Sequence, residues 1–165
     1  MQNEILIGNI SSLCAMVTDS ISSTRKKREE ILGYQIISQL FYGAGTILLK
    51  GYSSTVQNAV AILRNLVAMR KIQNRAVEWI LILLGVVLGA VFNNRGLIGW
   101  LPIVANLEYS VAMFRFVDSE RNLKLAFLLN ALMYSAFSLI IRNYVGVASN
   151  IFVAVSTAVF LIRNK

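Results

Sequence analysis

YGAGTILLKGYSSTVQN at residues 42–58 is the most informative segment of the chain, because YSAFSLIIRNYVGVASN at residues 134–150 repeats its pattern 92 positions later. Polar and aromatic residues coincide under this shift: Tyr42 with Tyr134, Tyr52 with Tyr144, Asn58 with Asn150, Thr46 with Ser138 and Lys50 with Arg142. Apolar coincidences are common in a hydrophobic chain, whereas matched polar and aromatic residues are not. A fixed spacing of this kind indicates an internal structural repeat.

The composition indicates that the repeat lies in a membrane. Of the 165 residues, 56% are hydrophobic and 15% are charged, whereas charged residues make up about 25% of soluble proteins. Apolar stretches of about 20 residues, long enough to cross ~30 Å of hydrocarbon, predict seven membrane-spanning helices, at residues 5–22, 31–49, 53–69, 77–92, 97–114, 123–141 and 145–162. A soluble helical protein is disfavoured, because a chain of this length cannot bury seven helices that are apolar on nearly every side.

Basic residues lie in alternate loops, and this pattern predicts the orientation of the chain. Twelve of the sixteen follow the first, third, fifth and last spans: Arg25, Lys26, Lys27, Arg28, Arg70, Lys71, Arg75, Arg115, Arg121, Lys124, Arg163 and Lys165. Loops rich in Lys and Arg face the cytoplasm, so in a plasma or bacterial inner membrane we expect the N-terminus outside and the C-terminus inside. The net charge of +8 then requires no nucleic acid, since basic loops face anionic lipids.

The predicted fold is all-α: an integral membrane protein whose seven transmembrane helices form two parallel three-helix repeats joined by a linker helix. A three-helix unit that begins outside ends inside, so a second unit in the same orientation requires one extra helix between the two. Repeat one covers residues 1–72, the linker helix residues 73–95 and repeat two residues 96–165. Parallel repeats of this kind are related by an axis along the membrane normal.

Several short segments resemble known families. They are RNLVAMR at residues 64–70, which follows QNA at residues 57–59, LPI at residues 101–103, and the asparagine-containing last helix. In these segments the chain resembles the YgjV family of bacterial inner-membrane proteins. Its three-one-three arrangement resembles that of the SWEET sugar facilitators and the PnuC-type vitamin transporters.

The resemblance to SWEET-like proteins implies a pocket with an aromatic residue on the second helix of each repeat and an asparagine on the third. That pattern maps onto Tyr42 with Asn58 and onto Tyr134 with Asn150. The chain departs from the pattern in two respects. Both of its tryptophans lie near span ends instead of at the pocket, and Pro102 is its only proline, so prolines do not mark the first helix of both repeats.

Helical spacing selects the same faces without the resemblance. Polar and aromatic residues recur at i, i+3/i+4 and i+7 on six of the spans, which gives each of these helices a polar face. The predicted substrate-binding residues are Asn58, Asn150, Tyr42, Tyr134, Asn106, Gln39, Asn130 and Glu108. The alternative interpretation is that these side chains only join helices, at roughly 0.6 kcal/mol per contact.

Three charged residues, Arg64, Asp19 and Glu108, lie inside predicted spans. A charge at mid-span costs about 2.5–3.5 kcal/mol on insertion scales and is usually paired or functional. We expect a structural ion pair between Arg64 and Asp19, which lie at similar depth in repeat one; Glu108 is the alternative partner. The functional interpretation is a site for a cation, a proton or a carboxylate of the solute. Asp19 can also extend toward the headgroups.

Catalysis is not predicted. The chain has no histidine and one cysteine, Cys14, so neither a Ser-His triad nor a His-based metal site can form. We expect no metal and no cofactor.

Together these patterns predict a membrane transporter that moves a small polar solute, such as a nucleoside, a vitamin or a sugar, by alternating access between the two repeats. Asn and Tyr side chains suit a neutral polar solute through hydrogen bonding and stacking. The alternative is a non-transporting membrane scaffold or receptor subunit with the same fold. The expected partners are the solute and the lipid bilayer, with no nucleic acid, and homo-oligomer formation is left open.

Overall fold

The computed structural model of the chain describes residues 2–23, 25, 27–70, 72, 74–115 and 120–163. Within these ranges the regular structure is helical, with no strand. The seven α-helices there are α1 (Gln2–Ser23), α2 (Arg28–Leu48), α3 (Tyr52–Met69), α4 (Arg75–Val91), α5 (Trp100–Arg115), α6 (Glu120–Ile140) and α7 (Tyr144–Arg163). A short 3-10 helix, Gly96–Gly99, precedes α5.

Each predicted span coincides with one helix. The starts of α1, α2, α5 and α6 each differ by three residues from the prediction, and among these α5 begins later than predicted. The prediction began this helix at Leu97, whereas the structure forms a 3-10 turn there and begins α5 at Trp100. Pro102 thus lies in the first turn of α5. Proline has no backbone N–H, and in the first turn that group would have no intrahelical acceptor.

Three of the helices are long and apolar enough to cross a membrane by length and composition, over Gln2–Ser22, Glu29–Leu48 and Tyr144–Arg163. A shorter apolar segment, Lys124–Ile140, lies in α6. The helices α4 and α5 contain 17 and 16 residues, and at about 1.5 Å per residue each is close to 25 Å long. Hydrophobic character and length therefore support membrane insertion, most strongly for α1, α2 and α7.

The turns after α2 and α6 have the same geometry. Lys50 and Arg142 both adopt a left-handed backbone conformation, with φ of 56° and 62°. The next amide in each turn, that of Gly51 or Asn143, donates to the carbonyl oxygen five residues earlier, at 2.7 and 2.8 Å. This is the Schellman ending of a helix, and a non-glycine residue is uncommon at its left-handed position. The two turns lie 92 positions apart, as do the first and last residues of α2 and α6.

Helices that are adjacent in sequence pack against each other throughout the bundle. Two further contacts close it: α1 packs against α7, and α3 packs against α5. If the chain is divided into α1–α3 and α5–α7, each contact joins the first helix of one half to the third helix of the other.

One end of the bundle, which we call the turn end, contains the start of α1 and residues 49–51, 93–96 and 141–143. Asn9 of α1 donates to the carbonyl oxygen of Arg142 at 2.9 Å and accepts from the amide of Val145 at 3.0 Å. The side chain of Asn9 therefore ties the first helix of the chain to the turn between its last two helices.

A second polar contact ties the segment before α5 to the turn between α2 and α3. Arg95 donates to the carbonyl oxygens of Leu49 and Lys50, both at 3.1 Å. Asn94 donates to the same Lys50 oxygen at 2.9 Å. These donors satisfy carbonyl groups that the end of a helix leaves without an intrahelical partner.

A buried hydrophobic cluster lies at the turn end. Leu49, Phe137 and Ile141 form it, each at most 5% exposed, and Ile5 and Leu101 pack against it. The cluster therefore joins the two halves of the chain at this end.

The helices α1 and α2 approach closely at Gly8 and Gly45. A Cβ atom at Gly45 would lie 2.8 Å from the carbonyl oxygen of Gly8, and one at Gly8 would lie 2.8 Å from Cγ of Leu49. Small residues allow the backbones of membrane helices to come this near. Gly33, also on α2, has nothing within 4 Å of the corresponding position.

The outer surface of the bundle is apolar. On α4, the side chains of Ile80, Leu83, Val87 and Val91 are 57% to 71% exposed. Exposed apolar surface on this scale is unusual for a soluble monomer and is typical of helices that contact lipid tails.

Candidate functional site

Asn58 is the predicted site residue with the clearest unmet hydrogen-bonding capacity. It lies on α3 beside α2, where a Cβ at Gly43 would be 3.8 Å from its own Cβ. Its side chain is 8% exposed, and its amide nitrogen has no hydrogen-bond partner within the described part of the chain. A buried donor without a partner costs about 1–3 kcal/mol, so this amide is suited to an acceptor on a ligand.

Asn150, the residue 92 positions later, is bonded differently. It is half-buried on α7 and donates to the carbonyl oxygen of Gly146 at 2.8 Å, one turn earlier on its own helix. Across the described ranges no hydrogen bond joins Asn150 to Asn58. Their placement opposite each other in a pocket remains a prediction.

The two predicted tyrosines each reach into the other half of the chain. Tyr42 on α2 lies within hydrogen-bond reach of Ser149 on α7. It is also near enough to Asp19 on α1 for the charge of that carboxylate to act on its hydroxyl. Tyr134 on α6 lies within electrostatic range of Arg64 on α3. One of the two tyrosines is therefore near a carboxylate and the other near a guanidinium.

Arg64 lies among neutral hydroxyl groups. Its Nη1 donates to the hydroxyl of Ser110 on α5 at 3.5 Å, and the hydroxyls of Tyr109 and Tyr134 lie within electrostatic range. Within the described ranges no carboxylate oxygen lies within 4.0 Å of the Arg64 guanidinium; the ion pair found there joins Lys27 and Glu30, on the surface at 3.8 Å.

The expected ion pair between Arg64 and Asp19 is therefore not formed in this structure, and the alternative pair with Glu108 is not formed either. Packing explains the difference, because α1 lies against α2 and α7 whereas α3 lies against α2, α4 and α5. Asp19 instead lies within hydrogen-bond reach of Ser38 on α2.

Glu108 occupies a less central position than the prediction assumed. It follows the exposed Val104 by one turn of α5, so its side chain begins on the outer side of that helix. It is half-buried, and its Oε2 atom has no hydrogen-bond partner within the described part of the chain.

Asn106 takes part in a buried amide network with a residue that sequence reasoning missed. Gln57, 2% exposed, accepts from Nδ2 of Asn106 on α5 at 2.7 Å and donates to the carbonyl oxygen of Gly85 on α4 at 2.9 Å. A Cβ at Gly89 would lie 2.6 Å from the amide nitrogen of Gln57. Gln57 and Arg64 are seven residues apart, which places both on the face of α3 toward α5. This spacing from Arg64 is the sequence feature that could have identified Gln57.

Two further predicted residues lie on α6 and α2. Asn130 on α6 donates to the carbonyl oxygen of Ala105 on α5 at 2.9 Å, which joins two neighbouring helices. Gln39 is half-buried on α2. The contacts of Asn130 and Asn106 fit the interpretation in which amides hold helices together, whereas the unpaired Asn58 fits the binding interpretation.

The polar groups between the two halves are amides, tyrosine and serine hydroxyls, the Asp19 carboxylate and the Arg64 guanidinium, and they can donate or accept hydrogen bonds. In the part of the chain that the structure describes, no group of three or more His, Cys, Asp or Glu residues could hold a metal ion.

Comparison with known proteins identifies the family of the chain. The profile of the family described as bacterial inner membrane protein, Imp-YgjV, matches residues 6–165. No curated protein and no solved structure gave a significant match. Since the match covers nearly the whole sequence, the chain belongs to the YgjV family of bacterial inner-membrane proteins.

Proposed function

We propose that this inner-membrane protein transports a small polar solute by alternating access between two three-helix bundles, α1–α3 and α5–α7. The observation that carries the proposal is reciprocal packing: α1 of one bundle packs on α7 of the other, and α5 packs on α3. Many transporters place their substrate site at such an interface between repeats.

Further observations support the repeat as a unit of structure. The helices α2 and α6 have equivalent bounds, and both end in a Schellman turn with a cation in the left-handed position. Both turns lie at the turn end, so the two bundles run in the same direction. In the proposed architecture all seven helices cross the membrane, and α4 (Arg75–Val91) carries the chain back between parallel repeats.

The proposed solute is neutral and polar, such as a nucleoside, a vitamin or a sugar. The unpaired amide of Asn58 and the hydroxyls of Tyr42 and Tyr134 offer hydrogen bonds and aromatic surface to such a solute, which supports the proposal. Swelling of proteoliposomes in iso-osmotic ribose, uridine and pyridoxine tests the proposal, because swelling reports uptake without a labelled solute. Swelling no faster than that of protein-free liposomes with all three solutes would favour a non-transporting scaffold or receptor subunit.

Asn58→Ala should change flux in the same assay with little change in stability, whereas Gln57→Ala should reduce stability. We expect Asn58→Ala to slow swelling roughly three- to tenfold, the equivalent of one hydrogen bond, while the thermal unfolding midpoint barely changes. Gln57→Ala removes the acceptor of the Asn106 amide and the side-chain donor to the Gly85 carbonyl oxygen, so it should lower that midpoint clearly. Equal destabilisation by both substitutions would assign Asn58 a packing role.

The proposed orientation has the N-terminus outside and the C-terminus in the cytoplasm. At the turn end the basic residues are Lys50, Arg95 and Arg142, whereas most others lie toward the opposite end; Lys26, Lys71 and Lys165 lie outside the described residues. Fluorescent-protein fusions in the 25–28 loop and after Lys165 should fluoresce, and alkaline phosphatase inserted at Asn94 should be active. Alkaline phosphatase activity of a fusion in the 25–28 loop or after Lys165 would indicate the opposite orientation.

A further inference from the structure

We propose that Arg64, Ser110, Tyr109 and Tyr134 form a binding site for the carboxylate group of a small organic anion. As cargo, this anion would be additional to the neutral solute proposed above, and that role rests on the proposed transport function, whereas the binding site stands on the geometry alone.

The charge of Arg64 has no counter-ion in the described part of the chain. A guanidinium has five N–H donors and no acceptor, and its one hydrogen bond there is the 3.5 Å contact with the neutral Ser110 hydroxyl. Asp19 lies beside Ser38 and Tyr42 instead. Charges inside membrane helices usually pair with one another or mark a substrate or ion pathway, and an unpaired guanidinium calls for an anion.

The groups around Arg64 suit an oxyanion. The hydroxyls of Tyr109, Ser110 and Tyr134 can each donate a hydrogen bond, and a guanidinium binds a carboxylate through two parallel N–H···O contacts. A single positive charge is neutralised by a single negative one, so a monoanionic carboxylate matches the site better than a dianionic phosphate.

Tyr109 adds an aromatic ring to the site, and this ring packs on that of Phe127, with centroids 5.6 Å apart and planes tilted by 46°. An aromatic ring beside a guanidinium favours a carboxylate attached to a flat or apolar body over inorganic anions.

The residues of the site come from both halves of the chain. Arg64 belongs to α3, Tyr109 and Ser110 to α5 and Tyr134 to α6. Arg64 is twelve residues, or about 18 Å, from the start of α3 at the turn end. Two turns nearer that end, the contact between Gln57 and Asn106 already joins α3 to α5.

Benzoate and benzamide provide a matched pair of probes, because they share a ring and differ in charge. With the full chain purified in detergent near neutral pH, benzoate should raise the thermal unfolding midpoint in a saturable manner and benzamide should not. Arg64→Gln should weaken benzoate binding roughly 10- to 100-fold, the effect of losing a charge-assisted contact. Tyr134→Phe should weaken it about three- to tenfold, and Tyr144→Phe, on the exposed first residue of α7, should leave it unchanged.

If Arg64→Gln does not fold, the benzoate preference and the single-hydroxyl variants Tyr134→Phe and Tyr109→Phe decide the question. Equal binding of benzoate and benzamide would overturn the site, as would full benzoate affinity in both tyrosine variants. Inorganic phosphate that stabilises the protein more than benzoate would overturn the carboxylate assignment. If benzoate binding depends on Arg64 but the protein moves no solute, the transport proposal is wrong and the binding site stands. If the protein moves ribose but does not bind benzoate in this way, the binding site is wrong and the transport proposal stands.

Discussion

Joining residues 9 and 145 by a short covalent link should reduce solute flux to the rate of protein-free liposomes. Asn9→Cys and Val145→Cys are introduced together with Cys14→Ser, which removes the chain's one native cysteine. The two positions are in contact, since Asn9 accepts from the Val145 amide at 3.0 Å, and they lie on α1 and α7 in the two proposed repeats. A link there keeps the turn end closed, and alternating access requires that end to open.

A bifunctional methanethiosulfonate is the suitable reagent, because its short spacer tolerates geometries that a direct disulfide does not and dithiothreitol reverses it. Flux should return on reduction. The matched control joins Thr46→Cys to Thr55→Cys, whose native hydroxyls are 2.9 Å apart within one proposed repeat; this link should leave flux largely intact. Unchanged flux with the residue 9–145 link in place would exclude opening at the turn end.

Gly45→Val should destabilise the protein by about 3 kcal/mol, at the upper end of overpacking effects. The new Cβ would lie 2.8 Å from the Gly8 carbonyl oxygen, and a backbone atom cannot rotate away as a side chain can. The helices α1 and α2 would have to separate. Thermal unfolding in detergent should therefore show a midpoint several degrees lower than that of the unsubstituted protein.

Gly33→Ala is the control on the same helix. Nothing lies within 4 Å of its new Cβ, so the substitution should stabilise α2 by up to about 1 kcal/mol through helix propensity. If Gly45→Val unfolds at the same temperature as Gly33→Ala, the close approach of α1 and α2 is not needed for stability.

The helices were predictable from the sequence because the hydrophobic pattern depends only on local spacing. The 92-residue shift between Tyr42 and Tyr134 also predicted that α2 and α6 would have corresponding bounds. The start of α5 was placed three residues early, because glycines at positions 96 and 99 allow a 3-10 turn that an apolar run does not reveal.

The contacts of the site were harder to predict, because they depend on which helices become neighbours. The expected partner of Arg64 was chosen by depth in the membrane, whereas the packing of α3 on α5 directs Arg64 toward Ser110. Gln57 was missed beside Asn58 because consecutive helical residues point about 100° apart, so the two face different neighbours. Single-sequence spacing identifies a polar face but not the helix that it meets.

The contact made by Asn9 also restricts the order of assembly during synthesis. Its partners are 133 and 136 residues further along the chain, whereas the contact between Arg95 and Leu49 spans 46 residues. At about 5–20 residues per second of translation, the partners of Asn9 emerge roughly 7–27 s after Asn9 itself. The first helix therefore enters the membrane long before its contact with the turn between α6 and α7 can form, and the bundle can close only after that turn has been synthesised.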